Sequence, residues 1–152
     1  MGKKSLLALM PFVTGCVIFT SGSKDLQTDL DENKALWDGA AITDYSIRFQ
    51  RLCVICPIDF LIPVRITVRG DTVDAVTDLD SGAPVAGITE GTFLTIDDLF
   101  LIIQDAIDQN ASEIDARYDA VLGYPTDIDI DFSRSVFNDE AQFEIRELQE
   151  LT

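Results

Sequence analysis

The sequence predicts an α+β domain: an antiparallel sheet of about five to six strands with one main amphipathic helix packed on one face, plus a short N-terminal helix. Two observations predict the sheet. Several segments alternate apolar and polar residues with a period of two, and short turn sequences join these segments. A third observation predicts the helix, since apolar residues recur at helical spacing after Thr95. Strands joined by tight turns favour antiparallel pairing.

Residues 1–15 have the features of a bacterial export signal of the lipoprotein type. A basic start with Lys3 and Lys4 is followed by an apolar run, Ser5–Val13, that is too short to cross a bilayer as a stable helix. Small residues then precede Cys16, a pattern that resembles the lipobox of bacterial lipoproteins, in which the cysteine is lipidated and becomes the mature N-terminus. We therefore expect Cys16 to carry a lipid that contains palmitate. The protein would face the periplasm, with the outer membrane preferred over the inner.

The apolar run also continues past Cys16 through Phe19, which leaves a second interpretation open. Ordinary cleavage near Ser21–Ser23 would release a soluble, secreted protein. The stretch Gly22–Asn33 is polar and acidic, so we expect residues 16–34 to be a solvated tether and residues 35–152 to form the single domain.

At the start of this domain, a short helix is expected around Trp37 and is expected to end at Gly39. Three strands follow it, and in each of them apolar residues alternate with polar ones. A Gly-Asp turn joins the second strand to the third, so these two form a β-hairpin. The three predicted strands are Tyr45–Arg51, Pro63–Arg69 and Thr72–Thr77.

The main helix is expected to begin after Thr95, whose hydroxyl is suited to an N-cap. Asp97 and Asp98 fall in the first turn, where the helix dipole favours negative charge. The apolar residues that follow lie on one broad stripe, so we expect this helix to pack on the sheet. The stripe consists of Leu99, Phe100, Ile102, Ile103, Ala106 and Ile107.

A long hairpin follows the helix. Its apolar residues alternate with charged ones on both strands, which predicts one buried face and one acidic face. We expect Tyr118 opposite Ile128 and Arg117 opposite Asp129, because a slip of one residue would bury the aspartates. The last strand, Gln142–Leu148, is expected at an edge of the sheet.

Several of these segments together resemble a family of small exported bacterial proteins, many of them lipoproteins, that is known as a domain of unknown function. The resemblance covers residues 36–148, and it implies export and this fold without implying an activity. The pair of cysteines is spaced more widely here than is common in that family. The matching segments are Trp37, Asp44–Ile47, the cysteine-bearing turn after that strand, Thr95–Phe100, Tyr118–Asp119, Leu122–Thr126 and Ile128–Asp131.

Cys53 and Cys56 are the thiols that remain once Cys16 is lipidated or removed. In an oxidising compartment an even pair is expected to form a disulfide, here a structural one worth on the order of 1 to 2 kcal/mol because the loop is small. The alternative is a thiol-redox protein, but redox C-x-x-C pairs open a helix, whereas this pair follows a strand and precedes Pro57. Two thiolates without histidine make a poor metal site.

Composition argues against several classes of function. The chain has no histidine among its 152 residues, which removes the commonest general base and the imidazole ligands of zinc sites. Its formal net charge of −16 repels phosphate backbones and anionic headgroups, so we expect neither nucleic acid nor charged lipid as a partner. We interpret the acidity as a means of solubility.

Aspartates crowd one face of the predicted hairpin, and this pattern allows two chemical interpretations. A hard cation such as Ca²⁺ would compensate their mutual repulsion, and paired carboxylates can act as acid and base in glycoside hydrolysis. However, carboxylates spread along a strand do not converge on one point, so we expect a solvated face with no metal, no cofactor and no catalysis. The residues concerned are Asp115, Asp119, Asp127, Asp129 and Asp131.

Together these features predict an exported, lipid-anchored protein of the bacterial envelope that is not an enzyme and that binds an unidentified protein or another envelope component. Its contact with the membrane would be the lipid on Cys16. An unpaired terminal strand would favour protein binding by a sheet edge or face. Two alternatives remain open: the thiol-redox protein, and a periplasmic small-ligand carrier whose pocket would be lined by Trp37, Phe49, Phe100 and Tyr118.

Overall fold

The computed structural model describes residues 23–52, 61–85, 92–136 and 139–152. They form an α+β fold with two helices and one open, antiparallel, six-stranded sheet, which confirms the predicted class. The predicted export signal, Cys16, Cys53 and Cys56 lie outside the described residues. The helices are α1 (Ser23–Ala40) and α2 (Ile96–Asp108). The strands are β1 (Tyr45–Leu52), β2 (Val64–Arg69), β3 (Thr72–Asp78), β4 (Glu113–Tyr118), β5 (Pro125–Asp131) and β6 (Glu140–Glu150).

The order of the strands across the sheet is β3-β2-β1-β6-β5-β4. The last strand of the chain therefore lies in the middle, between β1 and β5, and the prediction that it forms an edge was wrong. β6 pairs with β1 from one end to the other, with Tyr45 opposite Glu150 and Leu52 opposite Gln142. Alternation along a sequence indicates which face of a strand is buried but does not identify its neighbours. The edges of the sheet are β3 and β4.

A single hydrophobic cluster joins the apolar face of the sheet to both helices. Ile47, Ile66, Ile130 and Ile145 from the strands are fully buried in it, and so is Leu99 from α2. Each side chain of this kind contributes about 1.5–3 kcal/mol when it is removed from water. α2 contacts β4 and β5, and α1 contacts α2, so the helices and the sheet share one core.

Helix α1 is longer than the sequence analysis expected. The segment expected as a tether over residues 16–34 is helical from Ser23 onward. The overlooked signal is the spacing of Leu26, Leu30 and Trp37, four and seven residues apart, which places them on one side of a helix. Leu30 and Trp37 are each only 3% exposed. Most of the other residues of α1 are polar. No helix in the described part of the chain is long and apolar enough to cross a membrane.

The hairpin formed by β4 and β5 has the predicted faces but a different register. Arg117 lies opposite Asp127 rather than Asp129, a shift of two residues that continues along the hairpin. Tyr118 lies opposite Pro125 rather than Ile128, because the register changes by one further residue after Arg117. The turn is tighter than expected because the carboxylate of Asp119 accepts the backbone N–H groups of the second and third residues after it, at 3.0 and 2.8 Å. A shift of two residues keeps each side chain on its predicted face.

Three aromatic side chains, named here the aromatic junction, connect the elements. Trp37 of α1 packs edge-on against Tyr45 of β1, with ring centroids 5.5 Å apart, and against Tyr124 after the β4–β5 turn at 6.3 Å. The Tyr45 hydroxyl accepts the backbone N–H of Ile96, 2.8 Å away, at the start of α2. Burial raises the pKa of Tyr45, so this hydroxyl stays protonated. The junction therefore links α1, β1, α2 and the turn.

The predicted N-cap of α2 is confirmed. The Thr95 hydroxyl accepts the backbone N–H of Asp98 at 3.1 Å, and the Asp98 carboxylate accepts the backbone N–H of Thr95 at 2.8 Å. This reciprocal pair is a capping box. An N-cap of this kind stabilises the folded state by about 0.5–2 kcal/mol.

Gly123, in the turn between β4 and β5, lies directly against α1. Its backbone has a φ of +74°, which side chains disfavour. A Cβ at this position would overlap the backbone oxygen of Asn33 and would lie 2.8 Å from the Cβ of Leu36. The turn can therefore approach the helix only because this residue has no side chain.

We predict that Gly123→Ala destabilises the protein more than Gly82→Ala does. Both glycines have a positive φ, but nothing lies within 4 Å of a Cβ built at Gly82. Gly82→Ala should therefore cost only the penalty of the left-handed backbone, about 1–2 kcal/mol, and Gly123→Ala should add the clash with α1. Urea unfolding measures both free energies. Equal losses would show that the turn does not depend on its contact with α1.

Candidate functional site

The residues that alternate with the core residues along the strands form one continuous surface, named here the polar face. The register of the sheet arranges them in rows that run from strand to strand. Leu52 is apolar and lies among charged neighbours. The polar face comprises Arg65 of β2; Arg48, Gln50 and Leu52 of β1; Glu140, Gln142, Glu144 and Arg146 of β6; Asp127, Asp129 and Asp131 of β5; and Glu113, Asp115 and Arg117 of β4.

Charge on the polar face changes sign along the direction of the strands. At one end Arg65, Arg48 and Arg146 lie directly opposite one another, and we name them the arginine row. At the other end Glu113, Asp131 and Glu140 lie directly opposite one another, and we name them the carboxylate row. Like charges in directly opposed positions of a sheet destabilise it. Each row therefore needs compensation.

The arginine row is compensated by carboxylates beside it. Arg65 Nη2 lies 2.6 Å from Oε2 of Glu147, which sits at a bulge of β6 with a φ of +54°. Arg146 Nη2 lies 2.6 Å from Oδ1 of Asp127, and its Nη1 donates to the backbone oxygen of Thr126 at 2.6 Å. The Arg65–Glu147 pair reaches across β1 from β2 to β6, and the Arg146–Asp127 pair connects the neighbouring strands β6 and β5. The row therefore also stabilises the sheet.

The carboxylate row has no such compensation in the described part of the chain. Glu113, Asp131 and Glu140 form no salt bridge with another described residue, and no side-chain hydrogen bond links them to one. In a chain with a net charge of −16, this end of the sheet is a region of unbalanced negative potential.

Between the two rows lies a shallow depression of about 210 Å³. Its apolar floor includes Leu52, which is 36% exposed. Gln142 donates to the carboxylate of Asp129 at 2.8 Å, which holds one wall in place. The remaining charged lining residues are Asp115, Arg117, Asp127 and Glu144. The depression is suited to a side chain that is apolar along its length and charged at its end.

The aspartates for which the sequence allowed a calcium site are not brought to one point. Asp119 closes the β4–β5 turn, where backbone N–H groups bind its carboxylate. The other four follow β4 and β5, and three of them accept a hydrogen bond from an arginine or a glutamine of the polar face. Among the described residues, no three acidic or cysteine side chains are grouped so that they could hold a metal ion.

The aromatic residues considered for a ligand pocket are part of the core or pack on it. Trp37, Phe49 and Phe100 are at most 3% exposed, and all belong to the hydrophobic cluster. Tyr118 is partly buried and stacks on Phe100, with ring centroids 6.2 Å apart. The four side chains therefore contact other core residues and do not form the lining on which a ligand carrier would depend.

Sequence reasoning found the aspartates but missed both rows. Glu113 meets Asp131 because the register of the β4–β5 hairpin differs by two residues from the predicted one, and Glu140 joins them because β6 pairs with β5. Arg48 and Arg146 meet because β6 also pairs with β1. The hairpin register and the central position of β6 are the information that was lacking.

The fold and the polar face define a class of protein: an α+β domain whose six-stranded antiparallel sheet has one buried face and one charged face. A family model described as a family of unknown function, DUF6174, matches residues 29–150, and the chain belongs to this family. The match confirms the resemblance to a domain of unknown function. No curated protein and no solved structure shows significant similarity to the chain.

We predict that Arg146→Gln raises the pKa of Asp127 toward its ordinary value. The hydrogen bond from the Arg146 guanidinium lowers this pKa in the folded protein. Because the pKa of Asp127 is lower in the folded protein than in the unfolded chain, where it is about 3.9, the ion pair stabilises the fold at pH values above about 3.9. This stabilisation is lost as the pH falls through the pKa that Asp127 has in the folded protein.

Carboxyl-carbon NMR, recorded from about pH 2 to pH 6, measures this pKa. Arg48→Gln is the control, because it removes the same charge from the same row but breaks no salt bridge among the described residues. An unchanged Asp127 titration in Arg146→Gln would mean that the ion pair has no influence in solution.

Proposed function

We propose that this protein is an exported, lipid-anchored component of the bacterial cell envelope that binds a basic partner protein through its polar face and catalyses no reaction. The observation that carries the proposal is the carboxylate row, whose side chains oppose one another in register without a salt bridge among the described residues. Such a row costs folding stability. A cationic partner would remove this cost, and the attraction between its positive charges and the carboxylate row would stabilise the complex.

We infer that the helices cover the apolar face of the sheet and leave the polar face available. Two observations support this arrangement. Leu99 and Ile103 of α2 are buried in the same cluster as Ile130 and Ile145 of the strands, and α2 contacts β4 and β5. In a two-layer α+β domain the second face of an antiparallel sheet is open to water, and here that face carries the charged residues.

Charge and shape both point to a protein rather than a nucleic acid or a lipid surface as the partner. The net charge of −16 repels phosphate, whereas lysine and arginine side chains are attracted to the carboxylate row. The depression around Leu52 adds a place for the apolar stem of such a side chain, with charged groups at its rim. Binding of this kind weakens as salt is added.

The location in the envelope is proposed from the first residues of the chain. The basic start, the short apolar run and the small residues before Cys16 support export and lipidation, and so does the resemblance to exported bacterial proteins. An oxidising compartment also supports a disulfide between Cys53 and Cys56.

We predict that reversing the carboxylate row abolishes capture of the partner. The bait is the full-length chain, with its anchor, in detergent-solubilised envelopes. Asp131→Lys combined with Glu140→Lys should lower the recovery of a basic protein by roughly tenfold or more, because attraction becomes repulsion. Added salt should weaken capture by the unchanged chain.

The matched control is Asp74→Lys combined with Asp105→Lys. This pair makes the same change in net charge at exposed positions outside the polar face, and it should leave recovery unchanged. Equal recovery with the two double variants, or selective capture of an acidic protein, would contradict the proposed function. Circular dichroism checks that both variants are folded.

We also predict that Cys16→Ser moves the protein from the membrane to the soluble fraction. Without the thiol no lipid can be attached, so the protein should leave the detergent phase in a phase-separation experiment on whole cells. Cys53→Ser combined with Cys56→Ser is the control, because it removes two thiols and keeps the lipid. Recovery of the unchanged chain in the aqueous phase would instead support the secreted form.

A further inference from the structure

The two edges of the sheet differ in the backbone hydrogen bonds that their outer sides form. The outer side of β3 is occupied by the chain itself, because Thr77 and Pro84 form a β-bridge and the N–H of Val85 donates to the backbone oxygen of Val76 at 2.9 Å. On the outer side of β4, no backbone group of the described residues forms a hydrogen bond. An edge strand of this kind presents unpaired N–H and C=O groups to another chain.

The side chains of β4 also favour an added strand. On the core side Ile114, Ala116 and Tyr118 pack against the hydrophobic cluster but remain partly exposed at the edge. On the polar side Glu113, Asp115 and Arg117 are exposed, and Arg117 Nη2 lies 3.4 Å from the Asp115 carboxylate. A strand paired with β4 would cover the apolar set with its own apolar side chains and would place basic side chains beside Glu113 and Asp115.

We propose that an extended segment of the partner pairs with the outer edge of β4. In this segment lysine or arginine alternates with apolar residues. This inference rests on the proposed function and specifies how binding occurs: the segment adds a seventh strand and places a basic side chain at the end of the carboxylate row, beside Glu113. A second copy of this chain is a poorer occupant, because each copy carries a formal net charge of −16.

The test adds the peptide Lys-Val-Lys-Val-Lys-Val-Lys to the full-length chain and follows backbone hydrogen exchange. At saturating peptide, the outward amides of β4 should exchange more slowly by roughly tenfold or more, because they become bonded. The peptide Lys-Lys-Lys-Lys-Val-Val-Val has the same composition without alternation, and it should give no such protection.

Charge-neutral variants test the side-chain part of the inference. Glu113→Gln combined with Asp115→Asn should weaken binding of the alternating peptide by roughly tenfold, because both carboxylates facing the added strand are lost. Asp74→Asn combined with Asp105→Asn removes the same charge away from β4 and should leave the affinity unchanged.

Three results would overturn the inference. If the peptide shifts resonances of β5 and β6 only and β4 exchange is unchanged, binding uses the face alone, and the proposed function survives without the edge. If β4 is protected without peptide as protein concentration rises, a second copy occupies the edge. If the peptide changes neither the exchange nor the resonances of any strand, β4 does not accept a basic segment. The proposed function is then judged separately, by the capture experiment with the carboxylate-row variants.

Discussion

The close approach of Gly123 to α1 is the contact on which the rest of the arrangement depends. It allows the β4–β5 turn to lie on the helix, which brings Tyr124 to the ring of Trp37. Trp37 in turn packs on Tyr45, whose hydroxyl binds the first backbone N–H of α2. These contacts link both helices to β1 and to the turn. If the turn moved away from α1, Trp37 would lose its contact with Tyr124.

The core and the polar face are two results of the same strand register. Alternation assigns every second side chain to the core, and the pairing of β6 with both β1 and β5 aligns the remaining ones into rows. The arginine row is balanced by Glu147 and Asp127, so it belongs to the stability of the sheet. The carboxylate row lacks such a balance among the described residues, so it does not stabilise the sheet as the arginine row does.

Local signals in the sequence were sufficient for the parts of the fold that local interactions determine. The Thr95 cap, the stripe of α2 and the buried faces of the β4–β5 hairpin could all be predicted, because each depends on residues close in sequence. The extent of α1 was missed because only a few apolar residues mark its buried side. The position of β6 beside β1 and the arginine row could not be predicted, since pairing between distant strands leaves no local pattern. The carboxylate row was missed because the register of the β4–β5 hairpin differs by two residues from the predicted one.

In the proposed lipid-anchored form, the early start of α1 would limit how far the domain lies from the membrane. Because the helix begins at Ser23, only residues 17–22 separate it from Cys16, the proposed point of lipid attachment. A fully extended chain of that length reaches about 20 Å. The domain would thus be held within its own diameter of the bilayer, while its negative charge keeps it from lying flat on anionic headgroups. A protein built in this way would sample a thin layer next to the membrane surface, and its ligand would have to come to that layer.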